Sequence, residues 1–127
     1  MRILASLAVA AALCAPLGAG AAERGLAGIW SVDLSSEPGK PYVKNMVLAL
    51  NADGTVSGSF YDSTIDAGRW KTARGRTCVS FRTTDGVGPY HTAACLDADG
   101  AGVTGQTWAE HRNFIFNWNA VRKGDAE

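Results

Sequence analysis

The chain has no excess of charge of either sign: 12 Lys and Arg stand against 12 Asp and Glu in 127 residues. Recognition of nucleic-acid phosphates needs a basic surplus, so nucleic acid is excluded as a partner. Metal-ligating residues are scarce, with two histidines and three cysteines. None falls in an HxH, HExxH or CxxC spacing, so neither a metal nor a cofactor is expected. A Gly-x-Ser-x-Gly elbow is also missing, which leaves a serine hydrolase without support. No stretch after residue 22 carries a 3.6-residue apolar stripe with caps, so almost no helix is predicted. What is present is 46% hydrophobic residues, four tryptophans and 15 glycines without a three-residue period. That composition excludes collagen and general disorder, and the length supports one domain.

Residues 1–22 read as a cleaved signal peptide. Arg2 gives a positive start, Ile3 to Leu17 is an apolar run, and Ala19-Gly20-Ala21 or Gly20-Ala21-Ala22 supplies the small residues of a cleavage site. A membrane anchor needs about 20 apolar residues, and Pro16 with the small residues behind it shortens the run below that. Leu13 precedes Cys14 where a lipoprotein signal carries a small residue, so Cys14 is expected to leave with the signal. No second apolar run follows, so no membrane span is expected. Residues 23–127 then form a single exported domain, periplasmic or extracellular.

Glycines and Asn/Asp-Gly turns cut this domain into pieces with period-2 alternation and many β-branched or aromatic residues. The expected strands are 26–34, 44–51, 55–62, 65–72, 76–83, 90–97, 102–109 and 112–122. Their connections are short, which makes antiparallel neighbours in chain order. An open meander leaves two bare edges, and pairing the first strand with the last removes both. The fold class predicted is all-β, an eight-stranded antiparallel up-and-down β-barrel. Leu50-Asn51-Ala52-Asp53-Gly54 is echoed by Leu96-Asp97-Ala98-Asp99-Gly100, one hairpin turn used twice. It lacks the glycine and glutamate positions of an EF-hand calcium loop.

Cys78 and Cys95 remain after cleavage, and an even pair in an oxidising compartment predicts a disulfide; the alternative is two free buried thiols. Opposing the two cysteines in an antiparallel hairpin also opposes Ser80 to Ala93 and Arg82 to His91. The turn then falls between Thr84 and Pro89, where Asp85-Gly86 and Gly88-Pro89 supply turn chemistry.

Gly28-Ile29-Trp30 opens the first strand and Arg122 ends the last, so closure would lay the Trp30 ring against the Arg122 guanidinium. With Asp53-Gly54-Thr55-Val56-Ser57-Gly58-Ser59-Phe60, these residues resemble the calycin group: avidin/streptavidin-like proteins most, then lipocalins and fatty-acid-binding proteins. The resemblance implies a barrel that holds one small ligand. Where avidins carry an Asn and a Tyr that hold biotin, this chain has Val32 and Phe60, so biotin itself is not expected. Small secreted metalloprotease inhibitors, also barrels with one disulfide, are a second likeness. In those an N-terminal arm enters the protease, and here only Ala22 to Gly25 precede the first strand.

Strand direction sorts the loops. Tight turns at 51–54, 72–76 and 97–100 lie at the Arg122 end, and the longer segments 35–44, 61–64, 83–90 and 109–113 gather at the other. Phe114, Phe116 and Trp118 alternate on one face and are expected in the interior with Trp30, Phe60 and Phe81. Arg69, Lys71, Arg74 and Arg76 read as a solvated strand end. Longer loops and barrel mouths carry binding groups. The expected binding surface is therefore the upper rim, with Tyr61, Tyr90 and Trp108 as walls, Arg82, His91 and His111 as polar contacts, and Glu110 and Arg112 beside them. The function expected is non-enzymatic binding of a small, partly apolar ligand. The alternatives are a protein-binding barrel, such as an inhibitor of an exported protease, and a small lipocalin-like enzyme.

Overall fold

A computed structural model describes residues 25–124. The expected signal segment, residues 1–22, lies outside them.

Alternation of small or β-branched residues with polar ones produces nine strands: β1 (Gly28–Asp33), β2 (Val43–Leu50), β3 (Thr55–Phe60), β4 (Ser63–Thr64), β5 (Asp66–Ala73), β6 (Arg76–Thr84), β7 (Pro89–Leu96), β8 (Gly102–Ala109) and β9 (Phe114–Gly124). The two-residue β4 and then β5 pair with β3 in turn, so together they make one stave of an eight-stranded antiparallel barrel. Each stave pairs with the next, and β1 pairs with β9 to close the barrel. Among the described residues only the two-residue β4 keeps an unpaired side, too short an edge to recruit another chain. Among the described residues no helix is long and apolar enough to cross a membrane.

β3 ends at Phe60 rather than residue 62, where Tyr61 and Asp62 take positive φ, and β9 runs on to Gly124; three further departures also have a local reason. Leu26 is not in the first strand; it sits in a turn beneath the barrel and is fully buried. Ala67 at φ 53° breaks β5, where the register shifts between Asp66 and Arg69. A 3-10 turn at Glu110–Arg112, ended by Asn113 at φ 52°, occupies the start of the expected last strand, so β9 begins at Phe114. The hairpin register is as expected. Cys78 opposes Cys95, Ser80 opposes Ala93, and Arg82 opposes His91. The disulfide joins the cysteines across β6 and β7, with their Cα atoms 4.0 Å apart.

Inward-facing residues fill the barrel below the cavity at its open end. Trp30, Val32, Met46, Leu48 and Val103 have no exposed surface. Phe60 packs on Phe81 at 5.6 Å between centroids and on Trp118 at 5.5 Å. Gly105 makes room for Trp118: a Cβ there would lie 2.3 Å from the indole. At the bottom, the Arg122 guanidinium stands 4.3 Å over the Trp30 ring. It donates to the carbonyls of Ala27 at 2.7 Å and Gly25 at 2.6 Å, while Trp30 Nε1 donates to the Leu26 carbonyl at 2.8 Å. Gly28, at φ 135°, permits that closure, since a Cβ would meet the guanidinium at 2.7 Å. The floor is sealed. Phe114 departs from the expected core: it shares the inner face with Phe116 and Trp118 but stands at the open end, 37% exposed.

Candidate functional site

At the end opposite Arg122 the core stops short of the rim, leaving a cavity of about 440 Å³. Its floor is Phe60, Phe116 and Thr107, and Thr83 enters from β6. Thr107 anchors a buried hydroxyl network, sharing a hydrogen bond with Thr92 at 2.9 Å and accepting from Trp118 Nε1 at 3.0 Å. Leu34 and Ser36, leaving β1, and Ser63 complete the lower wall.

Two aromatic groups rise to the rim. Tyr42, at the end of the β1–β2 loop, and Tyr61, in the β3–β4 turn, have centroids 6.0 Å apart and share a hydrogen bond between their hydroxyls. Lys44 Nζ lies 5.0 Å from the Tyr61 centroid and reaches Asp62 at 3.3 Å. Across the barrel, Tyr90 meets Phe114 at 6.1 Å, and Phe114 stacks on Phe116 at 5.3 Å.

Asp85 ties this second group together. Its Oδ1 accepts the backbone N–H groups of Val87 at 2.8 Å and Gly88 at 3.0 Å, which folds the β6–β7 loop on itself. Its Oδ2 accepts from Tyr90 at 2.9 Å, from His111 Nε2 at 3.1 Å, and from Arg112 at 2.8 and 3.1 Å. The β6–β7 loop and the 3-10 turn are thereby joined beside the cavity. The His111 hydrogen bond first, with backbone donors and Arg112 adding to it, holds the Asp85 carboxyl well below the usual carboxylate range. The His111 ring also packs over Gly88, where a Cβ would lie 2.6 Å from it, and meets the Tyr90 ring edge-on at 5.1 Å.

The residues expected at the rim fall into two groups. Tyr61 and Tyr90 line the cavity, and His111 and Arg112 brace it through Asp85. Arg82, His91 and Trp108 differ from the expectation: they belong to the outward-facing phase of β6, β7 and β8, so their side chains lie on the outer wall rather than in the mouth. There Arg82 pairs with His91, His91 with Trp108, and Trp108 with Ile115, and the His91 ring stacks on Trp108 at 5.4 Å. Glu110 is exposed on the 3-10 turn.

In the sequence Asp85 reads only as a turn residue, because its partners His111 and Arg112 lie 26 and 27 residues away and leave no local trace. Thr83 and Thr107 were within reach: each continues the inward phase of Phe81 and Gly105 by two residues. Among the described residues no three His, Cys, Asp or Glu side chains gather as a metal site would require. No protein-family model, curated protein or solved structure significantly matches the chain.

Proposed function

We propose that this chain is an exported, non-enzymatic β-barrel that binds a small, partly apolar ligand in its upper mouth. The observation that carries this reading is the cavity between the Tyr42–Tyr61 and Tyr90–Phe114 walls, about 440 Å³ in a barrel otherwise filled with side chains. Small-molecule pockets are of this size and kind, mostly apolar with a few placed polar groups. The avidin-like and lipocalin-like features of the sequence support the same use of the fold. Val32 and Phe60 are buried core residues, so biotin is not the ligand expected. The signal-peptide pattern of residues 1–22 and the Cys78–Cys95 disulfide support an oxidising compartment outside the cytoplasm.

Catalysis has less support. His111 directs Nε2 at Asp85, but its Nδ1 is buried without a hydrogen-bond partner, so no hydroxyl or thiol is held on the imidazole as a nucleophile would be. A second reading, a protein-binding barrel, draws on the outer wall, where Trp108 is 44% and Ile115 55% exposed beside each other. Native mass spectrometry of the protein purified from its own host separates the readings. A retained small molecule is expected; a retained protein would favour the outer wall, and a bare chain that also ignores small-molecule libraries would reject ligand binding.

A further inference from the structure

The geometry points to a neutral, flat, ring-bearing ligand, with Tyr61 as the wall that selects it. This inference rests on the mouth being a binding site and goes on to name the chemistry that the site accepts.

Charge is the first argument. Among the described residues, Asp85 is the only Asp, Glu, Lys, Arg or His lining the cavity. Both of its oxygens are occupied, Oδ1 by two backbone N–H groups and Oδ2 by Tyr90, His111 and Arg112. Two cations beside the rim are also engaged, Arg112 by Asp85 and Lys44 by Asp62. An anionic head group would find no free cation among the described lining residues, and an ammonium would compete with a guanidinium already in place. Either would lose hydration without a partner in exchange. A neutral ligand loses nothing of the kind.

Shape is the second. The lining includes Tyr42, Tyr61, Tyr90, Phe60, Phe114 and Phe116. Aromatic faces and edges at these spacings favour another ring over a flexible alkyl chain, which would also give up its own rotational freedom. Ser36 and Thr83 also line the cavity, as does Ser63, whose hydroxyl already donates to the Thr84 carbonyl at 3.2 Å. The Ser36 and Thr83 hydroxyls can meet a neutral hydroxyl or carbonyl group on the ligand.

Tyr61 is the third. It occupies the first central position of a two-residue hairpin turn, at φ 52°, followed by Asp62 at φ 63°. Such turns favour Asn-Gly or Asp-Gly, because a bulky side chain is disfavoured at positive φ. Backbone of this kind clusters at ligand clamps and other functional sites. Here it presents a phenol ring to the cavity opposite Tyr90 and Phe114.

The test is calorimetric titration at neutral pH with 2-naphthol, 2-naphthoate, naphthalen-2-ylmethylammonium and 1-decanol. We expect 2-naphthol to bind at least about tenfold more tightly than the other three. Tyr61→Asn, which suits the left-handed turn, should weaken 2-naphthol binding by about tenfold without lowering the melting temperature, and Tyr61→Phe should stay within about threefold of the parent. If a charged naphthalene or decanol binds as tightly as 2-naphthol, or Tyr61→Asn binds unchanged, the mouth remains a binding site and this inference falls. If none of the four binds, this inference falls, while the binding-site reading still stands or falls on the small molecule that native mass spectrometry finds retained.

Discussion

The two ends of the barrel use the same kinds of side chain for opposite purposes. At the floor, an aromatic ring and a guanidinium are consumed by the fold. Trp30 is fully buried, its N–H bonded to Leu26, and Arg122 covers it while bonding the carbonyls of Gly25 and Ala27. At the mouth, rings and an arginine are arranged around empty space. Arg112 and His111 hold Asp85, Asp85 holds Tyr90, and the rings of Tyr42, Tyr61 and Phe114 remain 37–44% exposed. Sealing one end concentrates stability there and frees the other to be shaped by something besides packing. The difference is energetic as well as geometric, because the stabilisation gained on folding scales with the apolar surface removed from water.

That contrast can be broken most severely at the floor. Trp30→Ala should destabilise the fold by about 3–5 kcal/mol, read as a lower urea midpoint, since a fully buried indole leaves a cavity its neighbours cannot fill. A midpoint close to that of the parent would show that the floor is not the stabilising end. Next comes the cross-strand staple, which closes 17 residues of sequence. The Cys78→Ser, Cys95→Ser pair should lose about 3 kcal/mol, and reduction of the parent should add the mass of two hydrogens. At the mouth the effects shrink. Phe114→Ala removes a ring already 37% exposed and should cost at most about 1 kcal/mol in denaturant titrations, while weakening whatever ligand the cavity holds.

Acid sharpens the comparison from another side. The Asp85 carboxyl titrates below its unfolded-state range, so its contribution to stability is complete above about pH 4 and is lost as pH falls further. The floor contacts involve Arg122, carbonyls and an indole, and do not titrate there. Asp85→Asn should therefore be less stable than the parent at neutral pH and converge on it in acid, as melting temperatures across that range would reveal. A constant gap at every pH would show that the charge of Asp85 is not what joins the two loops.

Much of this architecture is legible in the chain because each signal is local. Period-2 alternation places the strands, Asp-Gly and Asn-Ala-Asp-Gly mark the turns, and the positions of Cys78 and Cys95 fix a register that the pairing of β6 with β7 follows. Trp30 and Arg122 meet because closure makes the first and last strands neighbours. The mouth is harder to read. Direction along the barrel places its loops at one end, but not whether a side chain near that end faces in or out. His91 and Trp108 share that end with Tyr90 and Phe116, one residue out of phase, and so lie on the outer wall. The Asp85 network is assembled from two loops whose spacing in sequence carries no periodicity, and only the folded barrel brings them together.

The claim that binding belongs to the mouth is tested most directly by an amide chemical-shift titration of the full folded domain with 2-naphthol. The account predicts shifts that saturate together at residues 34–36, 60–63, 83–90, 107 and 114–116, with the floor around Gly25–Trp30 and the turn at 97–102 unmoved. Shifts confined to the floor, or to the outer row of Arg82, His91, Trp108 and Ile115, would contradict it.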